Sequence, residues 1–233
     1  MHNILVWRLI RDCWNKVLFD EEKHEYTSNN GKVYSVSEVI KFFTPNFDKE
    51  KIAGFVAKKE GKSVSEVLND WELKRENSCV FGNMFHDIAE KTSNGVLDGS
   101  EISEVVSHYL NRKGYKAMFT EVLLYNEKHS LAGTIDFIGT NKKGEIIILD
   151  WKTNKEIKVS SPYKKKMLNV MSEYDDCEIT KYSLQLHLYN YLLESVAGIK
   201  AKKLIIAHYN GKEIVEHEAI NLVKEVKKIM EEK

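Results

Sequence analysis

This chain is short of the features that usually carry a functional argument. Its 233 residues include only two prolines and three cysteines, and 35 Lys and Arg are matched by 35 Asp and Glu. With 42% hydrophobic residues and so little proline, it reads as an ordinary soluble globular protein, which excludes disordered and fibrous classes. Cys13, Cys79 and Cys177 stand far apart with no CxxC pair, which excludes a disulfide framework and an all-cysteine zinc or iron-sulfur site. The eight histidines contain no HxH or HxxxH pair, so a histidine-rich zinc site is excluded as well. No apolar run approaches the 18 or so residues of a membrane span, and the first apolar run is interrupted by Arg8 and Arg11 without a cleavage site after it. A reduced, cytoplasmic setting is therefore expected. Zero net charge also removes any global basic excess, so binding to nucleic acid would have to be argued from where the charges sit.

Residues 17–36 alternate short Val/Phe/Tyr pieces around the turn signal Asn29-Asn30-Gly31, which predicts a small β-meander. Ser35 to Glu38 and Ser63 to Glu66 both have capping-box spacing and predict helix starts. Further helices are expected over FGNMFHDIAEK and over EISEVVSHYLNRK, the latter with Ile102, Val105, Val106, Tyr109 and Leu110 on one face. From about residue 119 the period changes. FTEVLLYN, LAGTIDFIGT and GEIIILDWKT read as three consecutive antiparallel strands. A helix with the stripe Tyr182, Gln185, Tyr189, Leu192 and Val196 follows, then a strand KKLIIAHY, a turn at Asn210-Gly211, a short strand and a terminal helix. The expected plan is one mixed α/β domain over 1–233, with a meander and helices in 1–118 and a sheet-bearing core in 119–233.

The chemistry concentrates between Leu131 and Thr153. Asp136 lies near the end of one predicted strand, and Asp150-Trp151-Lys152 ends the next. Adjacent antiparallel strands can bring both carboxylates and the amine to one edge of a sheet. Two carboxylates can hold a hard divalent cation, and a nearby ammonium can stabilise developing phosphate charge or position a nucleophile. Asp150 follows four apolar residues and is hard to explain as a surface charge, because a buried carboxylate needs a metal or cation partner. Asp-x-Lys alone is most often a strand-end salt bridge. What gives it meaning here is the set of residues around it.

Those residues are Gly82-x-x-x-His86 with Glu90, Glu121 in TEVLLY, Gly133-Thr-Ile-Asp136, Asp150-Trp-Lys152-Thr153, and Gln185-Leu-x-x-Tyr189. In this order they resemble the PD-(D/E)xK nuclease superfamily, in its RecB-like and phage-type exonuclease branch, which includes mitochondrial genome-maintenance exonucleases and CRISPR adaptation nucleases. The resemblance runs over residues 82–193 and, more loosely, back through HEYTSNNGKVYSVSEVI. It implies a restriction-endonuclease-like core, a mixed central sheet flanked by helices with a largely helical N-terminal portion. It implies Asp136, Asp150, His86 and the Trp151 backbone carbonyl as ligands of Mg²⁺ or Mn²⁺, Glu121 as a further carboxylate, and Lys152 as the catalytic lysine. Gln185 and Tyr189 match a motif that in related nucleases lies beside the catalytic lysine and contacts DNA; packing of the helix is the other account, though an amide in a largely apolar stripe calls for a partner. Some relatives carry a four-cysteine iron-sulfur cluster, which three scattered cysteines cannot build.

Local charge bears on partners. From Lys152 to Leu168 six lysines face one Glu156, and the acidic stretch Glu173 to Glu178 follows. Lys155, Lys164, Lys165 and Lys166 could track a phosphate backbone, with Phe85, Trp151 and Tyr163 as candidates for stacking on bases. The expected activity is metal-dependent hydrolysis of DNA from ends, single- or double-stranded, in company with recombination, replication or repair proteins. A structure-specific endonuclease and a non-catalytic DNA-binding module are the alternatives; the second should have lost a carboxylate or the lysine.

Overall fold

The computed structural model describes residues 2–20 and 25–231, with side chains from Arg8 onward. The elements in chain order are α1 (His2–Trp14), β1 (Val17–Asp20), β2 (Glu25–Ser28), β3 (Gly31–Ser35), α2 (Val36–Phe42), α3 (Lys49–Glu60), α4 (Val64–Ser93), α5 (Glu101–Lys113), β4 (Lys116–Asn126), β5 (Leu131–Thr140), β6 (Ile146–Lys152), α6 (Glu178–Ala197), β7 (Lys203–Tyr209), β8 (Ile214–Glu218) and α7 (Val223–Glu231). No described helix is long and apolar enough to cross a membrane.

Both capping boxes form. The Ser35 and Ser63 hydroxyls accept the N–H of Glu38 and Glu66, whose carboxylates take the N–H of the serines in return. Two expectations need correction. The helix begun at Ser63 and the helix over FGNMFHDIAEK are one 30-residue α4 running through Gly82. A helical glycine costs only about 1 kcal/mol, too little to break a helix whose second half packs Phe85 and Ala89 into the core. Helix α3 has no counterpart among the expected elements. It folds back on α4 through Ala53, Ala57 and Val67.

The eight described strands lie in one mixed sheet of order β1-β2-β3-β5-β6-β7-β8, with β4 pairing β5. Strands β3 and β5 run parallel, as do β6 and β7, and the other pairs are antiparallel. Helices pack on both faces. Ile148 and Ile206 meet α6 residues such as Leu184 and Leu188, while Ile147, Leu149 and Trp151 meet Phe85 of α4 and Tyr109 of α5. Alternation along β6 thus sends successive residues into two cores. The architecture agrees with the expected restriction-endonuclease-like plan.

The sheet has one fork. On one edge of β5, Leu131 and Ala132 pair with β3, whereas Phe137 to Thr140 pair with β6. Gly133 to Asp136 have no ladder partner on that edge among the described residues. The last β5–β6 pair is Phe137 with Leu149, so continuing the register sets Asp136 opposite Asp150 where the strands part.

Candidate metal centre

The fork assembles a carboxylate cluster. Asp136 Oδ2 accepts the N–H of Trp151 at 2.8 Å, replacing the ladder bond that is missing where β6 leaves β5. From α4, His86 Nδ1 comes within 3.6 Å of Asp136 Oδ2 and 3.9 Å of Glu121 Oε1. Ligand atoms of His86, Glu121 and Asp136 all lie within 4.8 Å of one another. Ligands at about 2.1 Å from one small cation sit roughly 3 to 4 Å apart, so these three fit a divalent ion. One imidazole with carboxylates suits Mn²⁺, and the carboxylates suit Mg²⁺.

Glu121 reaches this cluster from a strained backbone. Its φ is +46°, in the left-handed region, inside strand β4. The β4–β5 ladder pairs Thr120 with Phe137 and Val122 with Ile135 but skips Glu121 and Asp136. Such backbone costs of order 1–3 kcal/mol and persists where the surroundings over-determine it. Nothing in the sequence marks this backbone angle, although the resemblance implies Glu121 itself as a site carboxylate.

Asp150 stands apart from that trio. Its side chain is 1% exposed, and Oδ2 lies 2.5 Å from Lys152 Nζ. The ammonium also sits over the Tyr182 ring, 4.6 Å from its centroid. Burial works against the charge on Lys152, but Asp150 and then Asp136 outweigh it and hold the amine protonated above the usual lysine range. An ammonium held in this way is suited to stabilising developing charge.

The electrostatics ask for a positive ion. Burial, reinforced by Asp150, pushes the Asp136 carboxyl up to about 7, which leaves a proton where a cation would otherwise serve. Burial lowers the basicity of His86, yet Asp136, Glu121 and Asp150 more than reverse this and raise it to about 9. A cavity of about 480 Å³, lined by Cys79, Gly82, Asn83, His86, Asp87, Glu90 and Glu121, opens the cluster to solvent along α4. Gly82 leaves room there without being sterically required, because a Cβ at that position would lie 3.5 Å from Thr153 Oγ1.

The remaining expected site residues fall in different places. Gln185 Nε2 donates to the Tyr189 hydroxyl at 2.9 Å, which supplies the partner the amide called for. Tyr189 is buried in the core on the sheet face that α6 covers and close to Gly133, whose Cβ would lie 2.8 Å from its ring. Lys155, Lys164, Lys165 and Lys166 are all exposed, and Lys166 also pairs with Asp175 at 2.7 Å. Stacking on bases by Phe85 and Trp151 is ruled out, since they are 0% and 1% exposed. They are core residues of the α4 side. Tyr163, at 82% exposure, remains open to a ligand. Tyr182, whose place in the helical stripe suggests packing alone, also touches the lysine.

No protein-family model matches the chain, and no curated protein matches it. Among solved structures it is similar to a protein called SSO0001, at 14% identity and a TM-score of 0.40, covering 98% of this chain and 82% of that one. A candidate exonuclease from Eubacterium rectale is similar at 12% identity and a TM-score of 0.34, covering 85% of this chain and 77% of that one. At these scores the likeness says nothing about the reaction, which has to be read from the side chains.

Proposed function

We propose that this protein is a metal-dependent deoxyribonuclease that hydrolyses phosphodiester bonds from DNA ends. The observation that carries the reading is the meeting of His86, Glu121 and Asp136 at the fork, with the Asp150–Lys152 pair next in register. Asp136, Asp150, Glu121 and His86, with the Trp151 carbonyl, would hold Mg²⁺ or Mn²⁺. The ion would supply a water of lowered pKa and neutralise the scissile phosphate. Lys152 places a fixed positive charge beside that phosphate, where transition-state charge grows. The Trp151 N–H fixes the Asp136 carboxylate in the orientation its ligand role requires. Gln185 and Tyr189 brace the β5 side of the fork.

A chain that kept the fold only to bind DNA would have no use for both carboxylates and the lysine together. The exposed Lys155, Lys164 and Lys165 supply the phosphate-tracking charge that zero net charge does not.

The test is cleavage of end-labelled single-stranded, blunt, overhanging and closed circular DNA with Mg²⁺ or Mn²⁺. Degradation of linear substrates with circles left intact is expected. Cut circles would make the enzyme an endonuclease on the same fold, and no cleavage of any substrate would refute the proposal.

A further inference from the structure

The ammonium of Lys152 has two partners of different kinds. One is Asp150 Oδ2 at 2.5 Å, and the other is the face of Tyr182, with Nζ 4.6 Å from the ring centroid. Asp150 is also one of the carboxylates assigned above to the metal. A carboxylate shared with a divalent cation binds an ammonium less tightly, and the cation repels that ammonium directly. Lysine carries its charge on a flexible four-carbon stem, so an ammonium released by Asp150 would wander unless something else held it.

Tyr182 is placed to hold it. It lies in the second turn of α6, three residues before Gln185, and it packs against the main core while its ring faces the lysine. Lys152 itself is largely buried, with a side chain 16% exposed, so the contact is shielded from water, the setting in which cation–π attraction is strongest. A ring has no charge to compete for the metal. It can therefore keep the ammonium near the reacting phosphate in both states of Asp150.

We propose that Tyr182 is a positioning residue for Lys152: its ring seats the ammonium when Asp150 turns to a divalent cation, which favours metal binding and aims the lysine at the phosphate. This deepens the nuclease reading and rests on it for the reaction, though not for the metal. Without the ring, Lys152 would have Asp150 as its one strong partner among these residues and would compete with the cation for it. The hydroxyl has no part in the role, so phenylalanine should serve as well as tyrosine.

The test compares Tyr182→Phe and Tyr182→Leu with the wild-type chain in two measurements. In calorimetric titration with Mn²⁺ alone, Tyr182→Leu should weaken binding by about 3- to 30-fold, the range of a partly to fully desolvated cation–π contact, and Tyr182→Phe should match wild type. In cleavage of linear DNA, Tyr182→Leu should lower kcat within the same range, leave KM for DNA unchanged and raise the Mn²⁺ concentration for half-maximal rate, with full rescue in Tyr182→Phe. Circular dichroism melting identifies any variant that fails to fold; should Tyr182→Leu be one, Tyr182→Met replaces it. Leucine or methionine at wild-type values would overturn the inference, and so would phenylalanine losing as much as leucine. Wild-type chain that binds Mn²⁺ but cleaves nothing, with Tyr182→Leu still weakening Mn²⁺, would refute the nuclease reading and leave this inference standing.

Discussion

Asp136 accepts the backbone N–H of Trp151 at 2.8 Å at the first step where β5 and β6 separate. The site follows from that parting. Were the ladder to continue, Trp151 would bond to backbone and the Asp136 side chain would have no reason to turn into the gap. Because it stops at Phe137 and Leu149, one carboxylate closes the ladder and joins His86 and Glu121 in the same act.

Asp136→Asn should therefore separate structure from chemistry. Asparagine keeps an oxygen for the Trp151 N–H, so melting should change little. Loss of charge should weaken Mn²⁺ and lower cleavage by at least about 100-fold, since even residues that merely support a ligand cost 10- to 100-fold. Calorimetry and a cleavage assay on one preparation check both halves.

The metal-free chain should lose stability as pH rises. The folded Asp136 carboxyl, raised to about 7, and His86, raised to about 9, both bind protons more tightly than in the unfolded chain. Their stabilising contribution is whole at low pH; Asp136 loses its share between about pH 4 and 7, and His86 between about 6.5 and 9. With EDTA, Tm should fall across this window beyond any change from other groups. Saturating Mn²⁺ should oppose the fall, because the cation takes the place of the protons. A Tm series with and without EDTA reads the difference, and identical pH profiles would count against a cation at these residues.

Two glycines should respond in opposite ways. A Cβ at Gly133 would meet Tyr189 Cε1 at 2.8 Å and Val36 Cγ2 at 2.9 Å, so Gly133→Ala should cost about 1 to 3 kcal/mol, a drop of roughly 2 to 12 °C in Tm for a chain of this size. At Gly82 the space is ordinary and the residue is helical, so Gly82→Ala should hold or raise stability by up to about 1 kcal/mol. Gly82 also lines the cavity over the cluster, so the same change should raise KM for DNA.

Much of the fold is legible in advance because the informative patterns are local. The apolar run from Leu131 to Thr140 is β5 residue for residue, and the two Ser-x-x-Glu boxes start α2 and α4. The features that escape such reading depend on distant partners. Helix α3 keeps its lysines at its two ends around an unbroken run from Ile52 to Ala57, so no period marks the face that Ala53 and Ala57 set against α4. The two halves of α4 read as separate helices until the packing of Phe85 and Ala89 is known. The left-handed backbone that carries Glu121, a carboxylate the resemblance already implies, has no mark in the sequence, and neither has the pairing of Lys166 with Asp175, nine residues on.

The exposed lysines give a salt-dependent prediction. Lys164→Ala with Lys165→Ala should weaken single-stranded DNA binding and flatten its dependence on log salt by about 0.7 for each phosphate no longer neutralised. Lys166→Ala should do less, since its ammonium already serves Asp175. Fluorescence anisotropy in EDTA measures binding without cleavage.

The most direct test of the central claim is cleavage of end-labelled linear DNA by wild-type protein and by Asp150→Asn, each with Mn²⁺, with Mg²⁺ and with EDTA. Asparagine is chosen because it keeps the shape beside Lys152. Wild-type protein should cleave with either ion and not in EDTA, and Asp150→Asn should lose at least about 100-fold while still melting cooperatively. Cleavage in EDTA, or full activity in a folded Asp150→Asn chain, would contradict the central claim.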